Sequence, residues 1–144
     1  WIDGEDPVKL SWPEFGKERV FHGWKLLEMN TLGEVQWRII FAEHGLGELG
    51  KQAAKGWAGD TFAVLENKRS HNLLLLIYST WDSEAEANEF EQAYRQLLRV
   101  KYPKQDENTV VKLAGRDVLI IEGGTKQDNE ALLEFLKQVK KQKS

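Results

Sequence analysis

The side chains with chemical potential are three histidines, several carboxylates near the ends of predicted elements, and six tryptophans; there is no cysteine. Without cysteine the chain has no disulfide, thiolate zinc site, iron-sulfur ligation or thiol nucleophile. His22, His44 and His71 never stand four apart, so no helical face carries the imidazole pair that grips zinc, and no metal site is expected. A serine nucleophile would need a Gly-x-Ser-x-Gly elbow or a Ser-x-x-Lys pair, and neither occurs. Gly45-Leu46-Gly47-Glu48-Leu49-Gly50 has the wrong spacing for a dinucleotide fingerprint and follows a predicted helix rather than a strand. It reads as an interhelical turn, and no cofactor is implied.

Carboxylates are the remaining route to catalysis. Glu34, Asp60, Asp82 and Glu122 all fall at predicted element ends, where two of them at one end of a sheet would make an acid/base pair. Each of the first three also has a structural explanation. Glu34 closes the capping box Thr31-Leu32-Gly33-Glu34, Asp60 ends the turn Gly56-Trp57-Ala58-Gly59-Asp60, and Asp82 sits at a strand-to-helix turn beside a positive helix N-terminus. Arg38, one turn after Glu34 on the same helical face, is expected to pair with it or with an acidic loop. The candidate catalytic set is therefore Glu34, Arg38, Asp60 and Asp82. Among the tryptophans, Trp37 and Trp81 are expected in the core. Trp57, in a glycine-flanked turn, and Trp12 are the candidate binding residues, because large amphipathic rings anchor partners at little entropic cost.

The elements that must position these groups follow from periodicity and punctuation. Residues 1–30 hold Trp1, Trp12, Trp24, Pro7 and Pro13 with no sustained period and read as an irregular lead-in, with at most a short strand or turn at residues 21–27. A helix is predicted from Thr31, apolar on most of its circumference through Val35, Trp37, Ile39, Ile40 and Phe41, hence deep in the fold. A second short helix runs through Leu49, Ala53 and Ala54 to Gly56. Residues 60–66 and 72–80 read as two strands, the second covered on both faces because Leu73–Tyr78 shows no polar alternation. Ser83-Glu84-Ala85-Glu86 is a second capping box, and it opens an amphipathic helix over residues 83–101 that Pro103 and the polar run to Asn108 terminate. Residues 109–113 and 117–122 form a tight hairpin around Ala114-Gly115-Arg116, and a C-terminal helix capped by Thr125 or Asp128 leads into a solvated lysine-rich tail. The predicted fold is α+β: a four-stranded, mainly antiparallel sheet from two β-hairpins, each followed by a helix, with an N-terminal helical pair packed on it. Residues 31–144 form one domain.

Length and charge agree with a single domain that folds on its own core. The chain has 144 residues, 41% in the hydrophobic set and 30% charged, with 20 basic and 23 acidic side chains for a net charge of −3. Both signs are interspersed, which argues against nucleic acid and against a polybasic membrane surface. The longest apolar run, Leu73–Tyr78, is far short of the ~20 residues that span a bilayer. The start at Trp1-Ile2-Asp3 rather than Met suggests a processed chain or a piece of a longer one, with a signal or partner domain upstream. Abundant Lys and Glu with a single Met suit a thermophilic source.

In their order, Thr31-Leu32-Gly33-Glu34, Gly56-Trp57-x-Gly59-Asp60 and Trp81-Asp82-Ser83-Glu84-x-Glu86-Ala87 give the chain a family resemblance. It resembles, over about residues 24–122, the C-terminal domain of a group of uncharacterised exported or surface proteins of bacteria and archaea, in which a metallopeptidase-like domain with a His-Glu-x-x-His helix can precede it. The resemblance implies an accessory domain, with no catalytic residue to carry over and no His-Glu-x-x-His here. It also implies an extracytoplasmic location. Two readings result: a non-catalytic accessory or interaction domain whose partner is another domain of the same polypeptide or a separate protein, or a small hydrolase or ligand-binding domain using carboxylates at one end of the sheet.

Overall fold

The computed structural model describes residues 8–102 and 109–142. In chain order these form β1 (Lys9–Ser11), two single 3-10 turns, β2 (Trp24–Asn30), α1 (Gly33–Glu43), α2 (Gly47–Ala53), a third 3-10 turn (Ala54–Gly56), β3 (Trp57–Asn67), β4 (Leu73–Trp81), α3 (Glu84–Lys101), β5 (Thr109–Ala114), β6 (Asp117–Glu122), α4 (Asn129–Leu136) and β7 (Lys140–Gln142). The main sheet is five-stranded in the order β2-β3-β4-β6-β5, with every neighbouring pair antiparallel. β1 and β7 make a separate two-stranded ribbon. The four-stranded expectation is thus corrected: the class α+β and both hairpins hold, but the lead-in supplies a fifth strand, β2, at the sheet edge.

The short strand or turn expected at residues 21–27 overlaps only the first half of β2, and the rest escaped the sequence reading for a local reason. Leu26 pairs with Leu65 and Glu28 with Val64, so Leu27 is an extra, bulged residue. A bulge breaks the period-two alternation that identifies a strand. Lys140 and Lys141 of the lysine-rich tail are exposed, as expected, but they belong to a strand, β7, that pairs with β1, and Lys141 Nζ sits 2.7 Å from Asp117 Oδ1. Pro103 to Asn108, read as a helix terminator, and Trp1 and Pro7 of the lead-in lie outside the described residues.

Both faces of the sheet are covered. On one, α1, α2 and α3 enclose Trp37, Phe41, Ile77, Trp81, Phe90, Tyr94, Leu97 and Ile120. On the other, α4 and the lead-in enclose Phe21, Leu65, Leu74, Leu76, Leu119, Ile121, Phe135 and Leu136. β4 lies central, as its unbroken apolar run requires: Leu74 and Leu76 face one core, Ile77 and Trp81 enter the other. α3 buries Ala87, Phe90, Ala93, Tyr94 and Leu97 at helical spacing, and the Ser83 hydroxyl accepts the Glu86 N–H at 3.1 Å as its cap. α1 is less deeply placed than its composition predicts. Only Trp37 and Phe41 are buried, whereas Val35 is 62% and Ile39 42% exposed. Gly50 of α2 lies so close to α1 that a Cβ there would stand 2.2 Å from the Phe41 Cβ, so only glycine permits this crossing.

Candidate functional site

Asp60 is the fourth residue of β3 rather than the end of a turn, and it is 3% exposed. Its Oδ1 accepts the Leu32 N–H at 2.7 Å; its Oδ2 accepts the Gly33 N–H at 2.9 Å, the Trp37 indole N–H at 3.2 Å and the Trp57 indole N–H at 2.7 Å. The carboxylate therefore does the work assigned to the Thr31/Glu34 capping box. α1 begins at Gly33 with Leu32 as its N-cap, and no side chain of its own segment caps it. Charge on Asp60 meets the positive end of the helix, and two aromatic donors complete its shell.

This constellation does not assemble the candidate catalytic set. Glu34 stands in the first turn of α1, and Arg38 is exposed one turn later; among the described residues neither makes an ion pair or a side-chain hydrogen bond to the other or to Asp60. The expected Glu34–Arg38 pair is not formed. Asp82 is exposed at the end of β4, its backbone N–H bound to the Gly56 carbonyl. It lies three residues beyond Ser79, the cross-strand partner of Asp60, hence about 10 Å further along the strand. Among the described residues no group of histidine and carboxylate side chains is arranged to hold a metal ion.

Two further polar clusters have partners that the sequence reading does not bring together, although Glu122 is among the carboxylates placed at element ends. Glu122, 5% exposed at the end of β6, accepts Lys101 Nζ at 2.8 Å and the Tyr102 hydroxyl at 3.0 Å on Oε1, and the Tyr94 hydroxyl on Oε2. It ties the end of α3 to the sheet. Burial first, then the Glu122 charge and hydrogen bond, pushes the Tyr94 hydroxyl well above its ordinary pKa. On the opposite face the Tyr78 hydroxyl donates to Asp117 Oδ2 at 2.5 Å, and burial together with that carboxylate raises its pKa as well. The sequence carried one signal for the first cluster. A tyrosine within the buried stripe Phe90, Ala93, Tyr94, Leu97 needs a partner for its hydroxyl, and the glutamate that ends an apolar strand is the natural acceptor.

The binding candidates lie on different faces. Trp57 is half-buried against the helical core and spends its N–H on Asp60. Trp12 belongs to the other face: it stacks on Phe135 with ring centres 6.0 Å apart and donates its N–H to Thr61 Oγ1 at 2.7 Å. Trp12 also lines an open hollow of about 540 Å³ with Leu10, Phe15, Met29, Thr31 and Thr61. From that hollow an apolar strip continues along the sheet edge, where Leu26, Leu27 and Met29 are 40%, 46% and 50% exposed. Among the described residues no helix is long and apolar enough to cross a membrane.

Among curated proteins nothing matches the chain, and the same holds among solved structures. Residues 19–133, from the second 3-10 turn into α4, match a family described as a domain of unknown function, DUF8575, and the chain belongs to that family.

Proposed function

We propose that this is a non-catalytic accessory domain that presents the exposed edge of its sheet to a protein partner. One observation carries the reading: the apolar strip Leu26, Leu27 and Met29 lies open on an edge strand, beside the hollow lined by Trp12. Extended partners add to such edges through main-chain hydrogen bonds, with alternate side chains supplying specificity. The distribution of charge favours the same reading over a hydrolase. Asp60 accepts four donors and Glu122 three, all from the elements they join, so both carboxylates are spent on holding the fold together. Membership in a larger exported protein rests on the resemblance of the cap and turn motifs alone.

A photo-crosslinking side chain at Leu27 or Met29, introduced in the native host, tests the proposal, with Lys112 on the opposite edge strand β5 as control. Adducts with protein at positions 27 and 29 but not at 112 are expected. Equal labelling at all three, or none at 27 and 29, would reject it.

A further inference from the structure

We infer that the partner accommodated by this edge is a second copy of the chain, paired antiparallel through β2. The inference rests on the reading of the β2 edge as an interaction surface and assigns its occupant. Counting the bulged pair Leu26–Leu27 as one step, β2 is symmetric about that step. Trp24 and Met29 lie two steps away on either side, and Lys25 and Glu28 one step away. Cross-strand partners share a face, so Leu26, opposite Leu65, and Met29, opposite Ala63, point to the α4 side, where Trp24 also packs. Lys25, opposite Glu66, and Glu28, opposite Val64, point to the other side.

A two-fold axis through the bulge therefore sets Lys25 of each copy against Glu28 of the other, two opposite-charge pairs on one face. On the other face it brings the apolar residues Trp24, Leu26 and Met29 of both copies together. An isologous contact of this kind is closed, and it turns two five-stranded sheets into one ten-stranded sheet. A bulge ordinarily blunts an edge against such pairing. Here it falls on the dyad and brings the charges into opposition.

The test uses the charges of Lys25 and Glu28, which are exposed, with circular dichroism to check that each variant keeps the fold, because Lys25 also faces Glu66 across the β2–β3 ladder. The mass of the wild-type chain in solution, measured across a wide concentration range, should rise from 16.6 kDa to twice that value. Lys25→Glu puts two glutamates in opposition and Glu28→Lys two lysines, so each variant alone should self-associate about tenfold more weakly. Mixed in equal amounts, the two variants restore both pairs, and the mixed dimer should match the wild type. A wild-type dimer that neither variant weakens, or a mixture that fails to recover, overturns the inference. A wild type that remains at 16.6 kDa overturns it too, and hydrogen exchange of those β2 amides that do not donate to β3 then separates the two ideas. Free exchange leaves the edge open to a different partner, whereas protection in the monomer removes the interaction reading as well.

Discussion

The Asp60 carboxylate accepts the indole N–H of Trp57, three residues earlier on the same strand, at 2.7 Å. In a regular strand residues three apart point to opposite faces. Here Trp57 pairs with Trp81 and Gly59 with Thr80, so Ala58 is a bulged, extra residue that restores a common face. The bulge thus places a second indole donor, with that of Trp37, on a carboxylate already bound to the start of α1. One irregularity in β3 couples the sheet, a helix terminus and two tryptophans.

Removing that carboxylate should be costly. Asp60→Ala leaves one buried indole donor and three half-buried donors without their acceptor, and a loss of roughly 2–4 kcal/mol in denaturant unfolding is expected. Trp57→Phe keeps the ring and deletes one donor, for a loss of about 1 kcal/mol. The two effects should be non-additive because the groups share one network. Arg38→Ala and Asp82→Asn, which do not join it, should stay within about 0.5 kcal/mol of wild type. A large effect of either would place it in a network that the geometry does not contain.

The two apparent capping boxes should behave differently. Ser83→Ala removes the hydroxyl that accepts the Glu86 N–H and is expected to lower stability by about 1 kcal/mol. Thr31→Ala should change it by less than about 0.5 kcal/mol, because Asp60 caps that helix in its place. Thermal or chemical unfolding of the two variants side by side decides this.

Tyr78 and Tyr94 predict the alkaline limit of stability. An unfolded tyrosine ionises near pH 10, and both hydroxyls keep their protons to higher pH in the fold. Between those limits the unfolded chain binds fewer protons than the native one, so stability falls as pH rises. The slope should approach about 1.4 kcal/mol per pH unit for each tyrosine. Stability is expected to be flat in this respect up to about pH 9 and to drop beyond about pH 10. Tyr94→Phe should remove one share of the slope. Urea unfolding at a series of alkaline pH values, with tyrosinate absorbance of the folded chain, provides the check.

The β1–β7 ribbon predicts a coupling between the two ends of the described chain. Truncation after Val139 removes the partners of Lys9, Leu10 and Ser11 and the Lys141–Asp117 ion pair. Faster amide exchange at Lys9–Ser11 is expected, with β3 and β4 unaffected. Unchanged exchange would show that the Trp12 stack on Phe135 holds the segment without the ribbon.

The sequence by itself determined what local interactions specify. The apolar run Leu73–Tyr78 identified a strand covered on both faces. The turn around Gly115, with a φ of 63°, defined the β5–β6 hairpin, and Ser83 with the stripe Phe90–Leu97 defined α3. In each case the determining residues lie within one strand, one helix or one turn. Tertiary structure alone decided the rest. β2 is a strand because β3 offers it a ladder, and the bulge at Leu27 hides its pattern. Asp60 is a helix cap only because the fold brings it to Leu32 and Gly33, nearly thirty residues away along the chain. Glu122 acquires Tyr94, Lys101 and Tyr102 only when α3 lies on β6. Each of these polar contacts spans a long loop, and the entropy of closing it is met by the packing of the two cores rather than by any local preference.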